Sequence, residues 1–259
     1  MPTRSHAPDG SPCWADLWSS DTDAIRRFYG ELFGWEAGDA DPAFGGYFMF
    51  TRDGVPVAGC MGDMGDMPAN DTWKVYLATG DVTKTAELAE AAGAQVVAPP
   101  SPVADMGVQA VLIDPTGANV GAWEAGTFPG FTVLNEHGTP SWFELHTDAF
   151  ATAESFYRSV FGWETSVIGD TDEFRYSTMV DPDGGDDLAG LMDARTFLPE
   201  GLPSHWSVYW EVDDVDAALA RVTALGGSVT DTPEDTPYGR LAGATDCAGA
   251  SFKLRTTGG

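Results

Sequence analysis

The chain has 259 residues, 13 of them basic and 40 acidic, for a formal net charge of −27 at pH 7. That balance repels nucleic acid phosphates and anionic membrane surfaces, and the acids are spread along the chain as a solvated surface rather than gathered in a tail. No apolar run approaches a membrane span, and residues 1–11 are polar rather than a signal core, so the expectation is a cytoplasmic protein with room for two domains.

Three isolated cysteines, Cys13, Cys60 and Cys247, form no CxxC pair, which indicates neither a disulfide framework nor a zinc knuckle. Residues 1–12 read as a loose arm. A strand over 13–19 places Trp14, Asp16 and Trp18 on one face and Cys13, Ala15 and Leu17 on the other. The helix predicted over 21–33, with Ser20 or Asp21 as its cap, carries Ile25, Phe28, Tyr29 and Leu32 at i, i+3, i+4 and i+7. Gly34 falls where such a helix ends in a left-handed residue. Apolar runs over 46–52 and 55–61 flank Asp53-Gly54, a strong hairpin signal. Residues 61–71, with Met61, Met64 and Met67 among Gly and Asp, form a loop, either an ordinary linker or an adaptable surface for a ligand. A strand over 73–79, a helix over 82–92 ending at Gly93, and strands over 95–98, 109–114 and 118–123 follow, the last two joined by Asp114-Pro115-Thr116-Gly117.

The plan then repeats. Phe28-Tyr29-Gly30-Glu31-Leu32-Phe33-Gly34-Trp35-Glu36 returns as Phe156-Tyr157-Arg158-Ser159-Val160-Phe161-Gly162-Trp163-Glu164, and 14–36 aligns without a gap on 142–164 at an offset of 128 (156 − 28). Trp73-Lys74-Val75-Tyr76 matches Trp206-Ser207-Val208-Tyr209 at an offset of 133 (206 − 73), so the insertions lie in loops. Strands are predicted over 142–147, 174–180, 188–193 and 206–212, with helices over 151–161 and 215–225. Two domains, 13–124 and 141–257, are joined by a Gly-, Pro- and Thr-rich linker over 125–140.

A strand, a helix ending Phe-Tyr-x-x-x-Phe-Gly-Trp, short strands, then a strand, a helix ending in Gly and an Asp-Pro-x-Gly turn resembles the vicinal oxygen chelate superfamily of glyoxalase I, bleomycin-resistance proteins and extradiol dioxygenases. The resemblance covers nearly the whole chain, twice, and looks closest to the double-domain actinobacterial members labelled glyoxalase-like or hydroxylase. It implies an α+β fold of four βαβββ modules paired into two glyoxalase-like domains, each with a curved mixed sheet forming a cup. It also implies a divalent metal held by His or Gln in the first strand, a carboxylate in the fourth, His in the fifth and Glu in the last. Counting from the motifs, those positions fall on Trp14, near Gly59 or Cys60, on Lys74 and on Gly121 in one domain, and on Trp142, near Gly190, on Ser207 and on Lys253 in the other. Indole, ammonium and glycine make no such ligand set, so the expectation is a member without metal or other cofactor.

If the ligand positions face inward, strand alternation brings their neighbours inward too. The first cup should present Trp14, Asp16, Trp18, Lys74, Tyr76 and Trp123, an aromatic box with an acid and a base that could pair. The second should present Trp142, Glu144, His146, Ser207, Tyr209, Glu211, Lys253 and Arg255. The rings either fill a core or stack on a flat ligand. His146 with Glu144 or Glu211 is the best general acid/base candidate, with Tyr209 or Lys253 to polarise a carbonyl, although a hydrogen-bonded histidine in a half-buried strand reads the same way.

Two functions follow. One is a metal-independent protein that binds a hydrophobic or aromatic small molecule, an antibiotic or polyketide, for resistance, sequestration or biosynthesis. The other is a metal-free enzyme of natural-product metabolism performing an accessory hydroxylation, cyclisation or isomerisation in the second cup. Neither needs a nucleic acid, membrane or protein partner, and a monomer of two pseudo-symmetric domains is expected.

Overall fold

Each half of the sequence builds one eight-stranded sheet, and the two sheets share one strand order. The structure is a computed structural model and describes residues 4–64, 68–199 and 201–257, so Met67 lies outside the described residues. The first half runs β1 (Pro12–Trp18), α1 (Thr22–Phe33), β2 (Glu36–Ala37), β3 (Phe48–Arg52), β4 (Val55–Met61), β5 (Thr72–Ala78), α2 (Val82–Ala91), β6 (Gln95–Val103), β7 (Gly107–Ile113) and β8 (Asn119–Ala125). The second runs β9 (Pro140–Thr147), α3 (Phe150–Phe161), β10 (Thr165–Asp170), β11 (Arg175–Met179), β12 (Ala189–Asp193), β13 (His205–Glu211), α4 (Val215–Ala224), β14 (Ser228–Thr236), β15 (Gly239–Thr245) and β16 (Ser251–Thr256).

The sheet orders are β2-β3-β4-β1-β5-β8-β7-β6 and β10-β11-β12-β9-β13-β16-β15-β14. Each sheet joins two βαβββ modules through an antiparallel central pair, β1–β5 or β9–β13, as the resemblance implied. Parallel pairs β1–β4 and β5–β8, with their counterparts β9–β12 and β13–β16, make both sheets mixed.

Local chemistry accounts for the element ends. Asp21, Asp81 and Asp214 accept from the third backbone N–H beyond them and cap α1, α2 and α4. Gly34 and Gly162 end α1 and α3 at φ 72° and 71°. Asp53 and Gly54 both take positive φ, the requirement of a tight hairpin between β3 and β4. β6 continues through Pro99, Pro100 and Pro102, where the sequence reading stopped at residue 98. It lies at a sheet edge, where a missing N–H is tolerated, and its register slips at the prolines. Edge strands β2 and β10 supply the third strand after the helix that the βαβββ plan implied, but no sequence pattern placed them: β2 has two residues, and Val167 and Ile168 of β10 are exposed, so neither carries an alternating pattern.

The repeated Phe-Tyr…Phe-Gly-Trp motif joins the halves to each other. Tyr29 Oη donates to Asp246 Oδ2 of the second half at 2.9 Å, and Tyr157 Oη donates to Asp114 Oδ2 of the first half at 2.9 Å. Each hydroxyl also accepts an indole N–H from its own half, Trp73 at 3.2 Å and Trp206 at 3.0 Å. Trp35 Nε1 donates to Gly138 O at 2.7 Å, ahead of β9, and Trp163 Nε1 donates to Gly10 O at 2.8 Å, ahead of β1. Gly10 has φ 80°, and a Cβ there would lie 2.3 Å from Phe161 O, so only glycine lets the chain pass this closely. The segment read as a loose arm is therefore anchored from residue 4: Arg4 donates to Phe131 O and Pro12 O, and Gly10 N donates to Ala78 O.

Trp210, fully buried, fills the seam, with ring centroids 4.9 Å from Trp35, 5.2 Å from Trp73 and 6.1 Å from Phe33. Among the described residues its indole N–H finds no partner, which costs about 1–3 kcal/mol set against the aromatic area it buries.

Tyr29→Phe and Tyr157→Phe should each lower unfolding stability by about 1–3 kcal/mol, because each strands a buried carboxylate oxygen and a buried indole N–H. Urea denaturation checks this. Loss from only one variant would show that the two crossings are not equivalent.

Candidate functional site

Strand register brings most of the sequence-predicted residues together on the concave faces. In the first cup Trp14 stands opposite Tyr76 and Asp16 opposite Lys74 across the β1–β5 pair, and Asp16 also pairs in register with Gly59 of β4. Asp16 Oδ1 accepts from Trp14 Nε1 at 2.8 Å and from Tyr47 Oη at 2.9 Å, and Trp14 Nε1 also reaches Tyr47 Oη at 3.1 Å. Tyr76 Oη donates to Gln109 Oε1 at 3.2 Å. Trp123 closes the wall beside Gln109, its Nε1 donating to Phe128 O at 3.0 Å. Trp18 is half-buried and donates to Gly62 O at 2.8 Å.

The expected Asp16–Lys74 ion pair does not form. Among the described residues no carboxylate lies within 4.0 Å of Lys74 Nζ, which sits 6.0 Å from the Trp18 ring and 5.8 Å from the Tyr76 ring. The extended lysine leans along aromatic faces instead of reaching the acid across from it. Burial pushes the Asp16 carboxyl above its ordinary range, against the pull of Lys74 and of the Tyr47, Tyr76 and Trp14 donors. Burial likewise pushes the Lys74 ammonium down, against the pull of Asp16.

The second cup repeats the frame with different chemistry. Glu144, in register with Ser207 and Gly190, accepts on Oε1 from His146 Nε2 at 2.6 Å and from Tyr209 Oη at 2.9 Å. Trp142 Nε1 donates to Tyr176 Oη at 3.0 Å. Burial alone would raise the Glu144 pKa, but the hydrogen bond and charge of His146, with Tyr176 and Tyr209, outweigh it and hold the carboxyl below its ordinary range. Tyr209 is pushed well above the usual phenol range by burial and by the Glu144 charge, so its hydroxyl stays a proton donor.

Glu211 does not join this network. Its Oε1 accepts from the backbone N and Oγ1 of Thr257 at 2.7 and 2.6 Å, which leaves Glu144 as the partner of His146. Lys253 is paired with Asp231, and Arg255 donates to Tyr238 O and Ser141 O. The His205 ring stands 5.3 Å from His146 and nearly perpendicular to it, with Phe197 on another side at 5.7 Å.

Sequence reasoning missed Tyr47 and Tyr176, the second phenol of each cup. Both precede by two the strand residue that pairs with the concave glycine, Met49 with Gly59 and Thr178 with Gly190. Tyr47 and Tyr176 are 129 apart (176 − 47), one more than the offset of 128, so the ungapped repeat alignment does not pair them. Strand pairing shows one frame in both cups, a carboxylate among two tyrosines and a tryptophan.

That frame occupies the superfamily's metal-ligand positions. A Cβ on Gly59 would lie 2.0 Å from Tyr47 Oη and 2.1 Å from Asp16 Oδ1, and one on Gly121 would lie 2.1 Å from the Tyr76 ring. In the second cup a Cβ on Gly190 would lie 2.0 Å from Tyr176 Oη. The rings rest on bare backbone where a ligating side chain would begin. The remaining positions, Trp14 with Lys74 and Trp142 with Ser207 and Lys253, offer no set of N, O or S donors that suits a divalent ion. Among the described residues no cluster of three or more His, Cys, Asp and Glu has the arrangement to hold a metal.

Residues 139–254 match the family model of the Glyoxalase/Bleomycin resistance protein/Dioxygenase superfamily, and residues 14–121 match that of a Glyoxalase-like domain. Putative glyoxylase CFP32 of Mycobacterium tuberculosis is 37% identical, with 98% of this chain and 97% of the relative covered. Anthracycline biosynthesis protein DnrV of Streptomyces peucetius is 36% identical, covering 95% of this chain and 92% of its own length. Among solved structures, the Mn(II)-bound glyoxalase of Novosphingobium aromaticivorans superposes with a TM-score of 0.65 at 17% identity, over 96% of this chain and 83% of its own. The 2,3-dioxygenase LapB of Pseudomonas sp. KL28 does so with 0.64 at 15%, over 98% and 94%. At those identities the structural likeness speaks for the fold alone.

Two predictions follow from the packing and charge of the cups. Gly121→Ala should cost about 1–3 kcal/mol by forcing the Tyr76 ring off its glycine. The Gly121→Ala, Tyr76→Ala pair should cost less than the sum of its single changes, as a double-mutant cycle of thermal unfolding would read. The second concerns pH. Ionised Glu144 stabilises the fold above the unfolded carboxylate pKa of about 4.3, and that contribution is lost as pH falls through its depressed folded value. The stability gap between wild type and Glu144→Gln should therefore be full at neutral pH and close below roughly pH 4. Asp16, shifted upward, should behave oppositely: the gap to Asp16→Asn shrinks as pH rises. Urea midpoints across pH 3–8 measure both.

Proposed function

The chain belongs to the glyoxalase/bleomycin resistance protein/dioxygenase superfamily, and on that premise we propose that it acts without the superfamily's metal, binding a hydrophobic, aromatic small molecule of antibiotic or polyketide type in its cups. The supporting observation is the exchange of ligand positions for rings: Tyr47 and Tyr76 lie over Gly59 and Gly121, and Trp14 stands where the first ligand would be. Around them the concave face of the first cup keeps Trp18, Met49, Met61 and Tyr47 half-buried rather than sealed, a surface of indole, thioether and phenol suited to a flat apolar molecule. The relative named for anthracycline biosynthesis supports the ligand class and a place in natural-product biosynthesis, sequestration or resistance.

A second reading rests on the 2.6 Å contact between His146 Nε2 and Glu144 Oε1. An imidazole oriented by an ionised carboxylate, with the Tyr209 hydroxyl on the same oxygen, can take up and return a proton in an isomerisation or cyclisation. Lys253 serves this reading less well, being paired with Asp231.

With nine Trp in the chain, binding should appear as saturable quenching of intrinsic fluorescence by planar aromatic natural products, an anthracycline among them, unchanged after treatment with a chelator. No quenching by any member of the panel would remove the proposal, and stoichiometric metal in the purified protein would remove its metal-independent part. His146→Ala separates the two readings: a binder keeps its affinity and has no turnover to lose, whereas an enzyme loses turnover while still binding.

A further inference from the structure

We infer that the first cup selects an aromatic ligand bearing an acidic oxygen, a carboxylate or an ionised phenol or enol, which Lys74 Nζ receives while the half-buried Trp18 stacks on the ring system. This rests on the binding function proposed above and adds which cup binds, through which residue, and which ligand chemistry it prefers.

Lys74 points from β5 onto the concave face, half-buried, with its ammonium between two aromatic rings at 5.8 and 6.0 Å. These distances sit at the outer limit of a cation–π contact and leave the charge poorly compensated. Among the described residues it has neither a carboxylate within 4.0 Å nor a hydrogen-bond partner, although the chain carries 40 acidic residues against 13 basic ones. Asp16, opposite in register, has its Oδ1 engaged by Trp14 and Tyr47 and does not reach the ammonium. A partly desolvated ammonium with donors to spare and apolar rings on two sides is complementary to an anion on a flat molecule.

The second cup lacks this feature. Ser207 replaces Lys74, Lys253 is held by Asp231, Arg255 is engaged by backbone carbonyls, and the ionised Glu144 faces the space above them. An acidic ligand therefore meets an unanswered cation in the first cup and a committed network in the second. The overall charge of −27 opposes any anion at long range, so a preference for the acid must arise from a local contact.

Matched acid and ester pairs test this: anthraquinone-2-carboxylic acid against its methyl ester, and 2-naphthoic acid against its methyl ester, titrated by tryptophan fluorescence at pH 7.5 and 0.15 M salt. The wild type should bind each acid roughly tenfold more tightly than its ester, as one charge-assisted contact supplies. Lys74→Gln should bring the acid-to-ester affinity ratio down to about one, and Lys74→Arg should retain the preference. Equal binding of acid and ester by the wild type, or a preference that survives Lys74→Gln, overturns the inference and leaves aromatic binding standing. Failure of every acid and ester to bind overturns the binding function itself, and this inference with it.

Discussion

The structure depends on a reciprocal hydrogen bond. Tyr29 of the first half closes on Asp246 of the second, and Tyr157 of the second closes on Asp114 of the first. Each aspartate spends its other oxygen on its own turn: Asp114 Oδ1 accepts from the backbone of Thr116 and Ala118, and Asp246 Oδ1 from that of Ala248, Gly249 and Ala250. The turn leading into the last strand of one sheet and the first helix of the other half are thereby fixed by a single side chain. Because the last strand lies two places from the first in each sheet, the same residues set the position of the strands that floor both cups. Duplication made this crossing possible, since one motif supplies both ends of a pseudo-twofold seam.

Inside each cup the governing constraint is volume. The sheets offer a concave face that, in this superfamily, can be given to metal ligands. Here the same face is given to phenols, and they fit because Gly59, Gly121 and Gly190 remove the Cβ atoms that would meet them. Close packing makes that choice nearly exclusive: a ring 2.1 Å from where a Cβ would stand cannot share the position with a carboxylate side chain. A side chain at Gly59, Gly121 or Gly190 and the ring packed over that glycine are therefore alternatives for one space.

Much of the fold was legible in the sequence because its signals are local and repeated. The 3.6-residue stripe of α1 and α3, the glycine after each, the Asp-Gly hairpin and the Asp-Pro-x-Gly turn are each set by backbone chemistry within a few residues. Inward-facing residues were legible for the same reason, since alternation along one strand fixes its faces. What stayed hidden involves two strands or two halves at once. Tyr47 reaches Asp16 from 31 residues away, and Trp35 reaches Gly138 from 103, contacts that no periodicity encodes. The Asp16–Lys74 pair failed for a related reason: register puts the two residues opposite each other, but rotamer and neighbouring rings decide where the ammonium goes. The docking of residues 4–11 was missed because it depends on Phe131, Trp163 and Ala78, all distant in sequence.

The two cups show how little sequence change separates opposite electrostatics on one frame. Asp16 and Glu144 occupy the same strand position among equivalent phenols and indoles, and burial pushes both carboxyls upward. In the second cup His146 replaces Trp18, and the extra methylene of Glu144 lets its oxygen meet Nε2 at 2.6 Å. That hydrogen bond and the charge of His146, with the Tyr176 and Tyr209 hydroxyls, together outweigh burial and reverse the direction of the shift. In the first cup Lys74 stays beyond 4.0 Å of any carboxylate among the described residues, so burial prevails over their mutual attraction and moves the Asp16 carboxyl up and the Lys74 ammonium down. One half of the duplicated chain answers its buried carboxylate with a hydrogen bond from within the cup. The other leaves Lys74 without a carboxylate within 4.0 Å among the described residues, its ammonium held near the Trp18 and Tyr76 rings on the face that the second cup gives to Ser207.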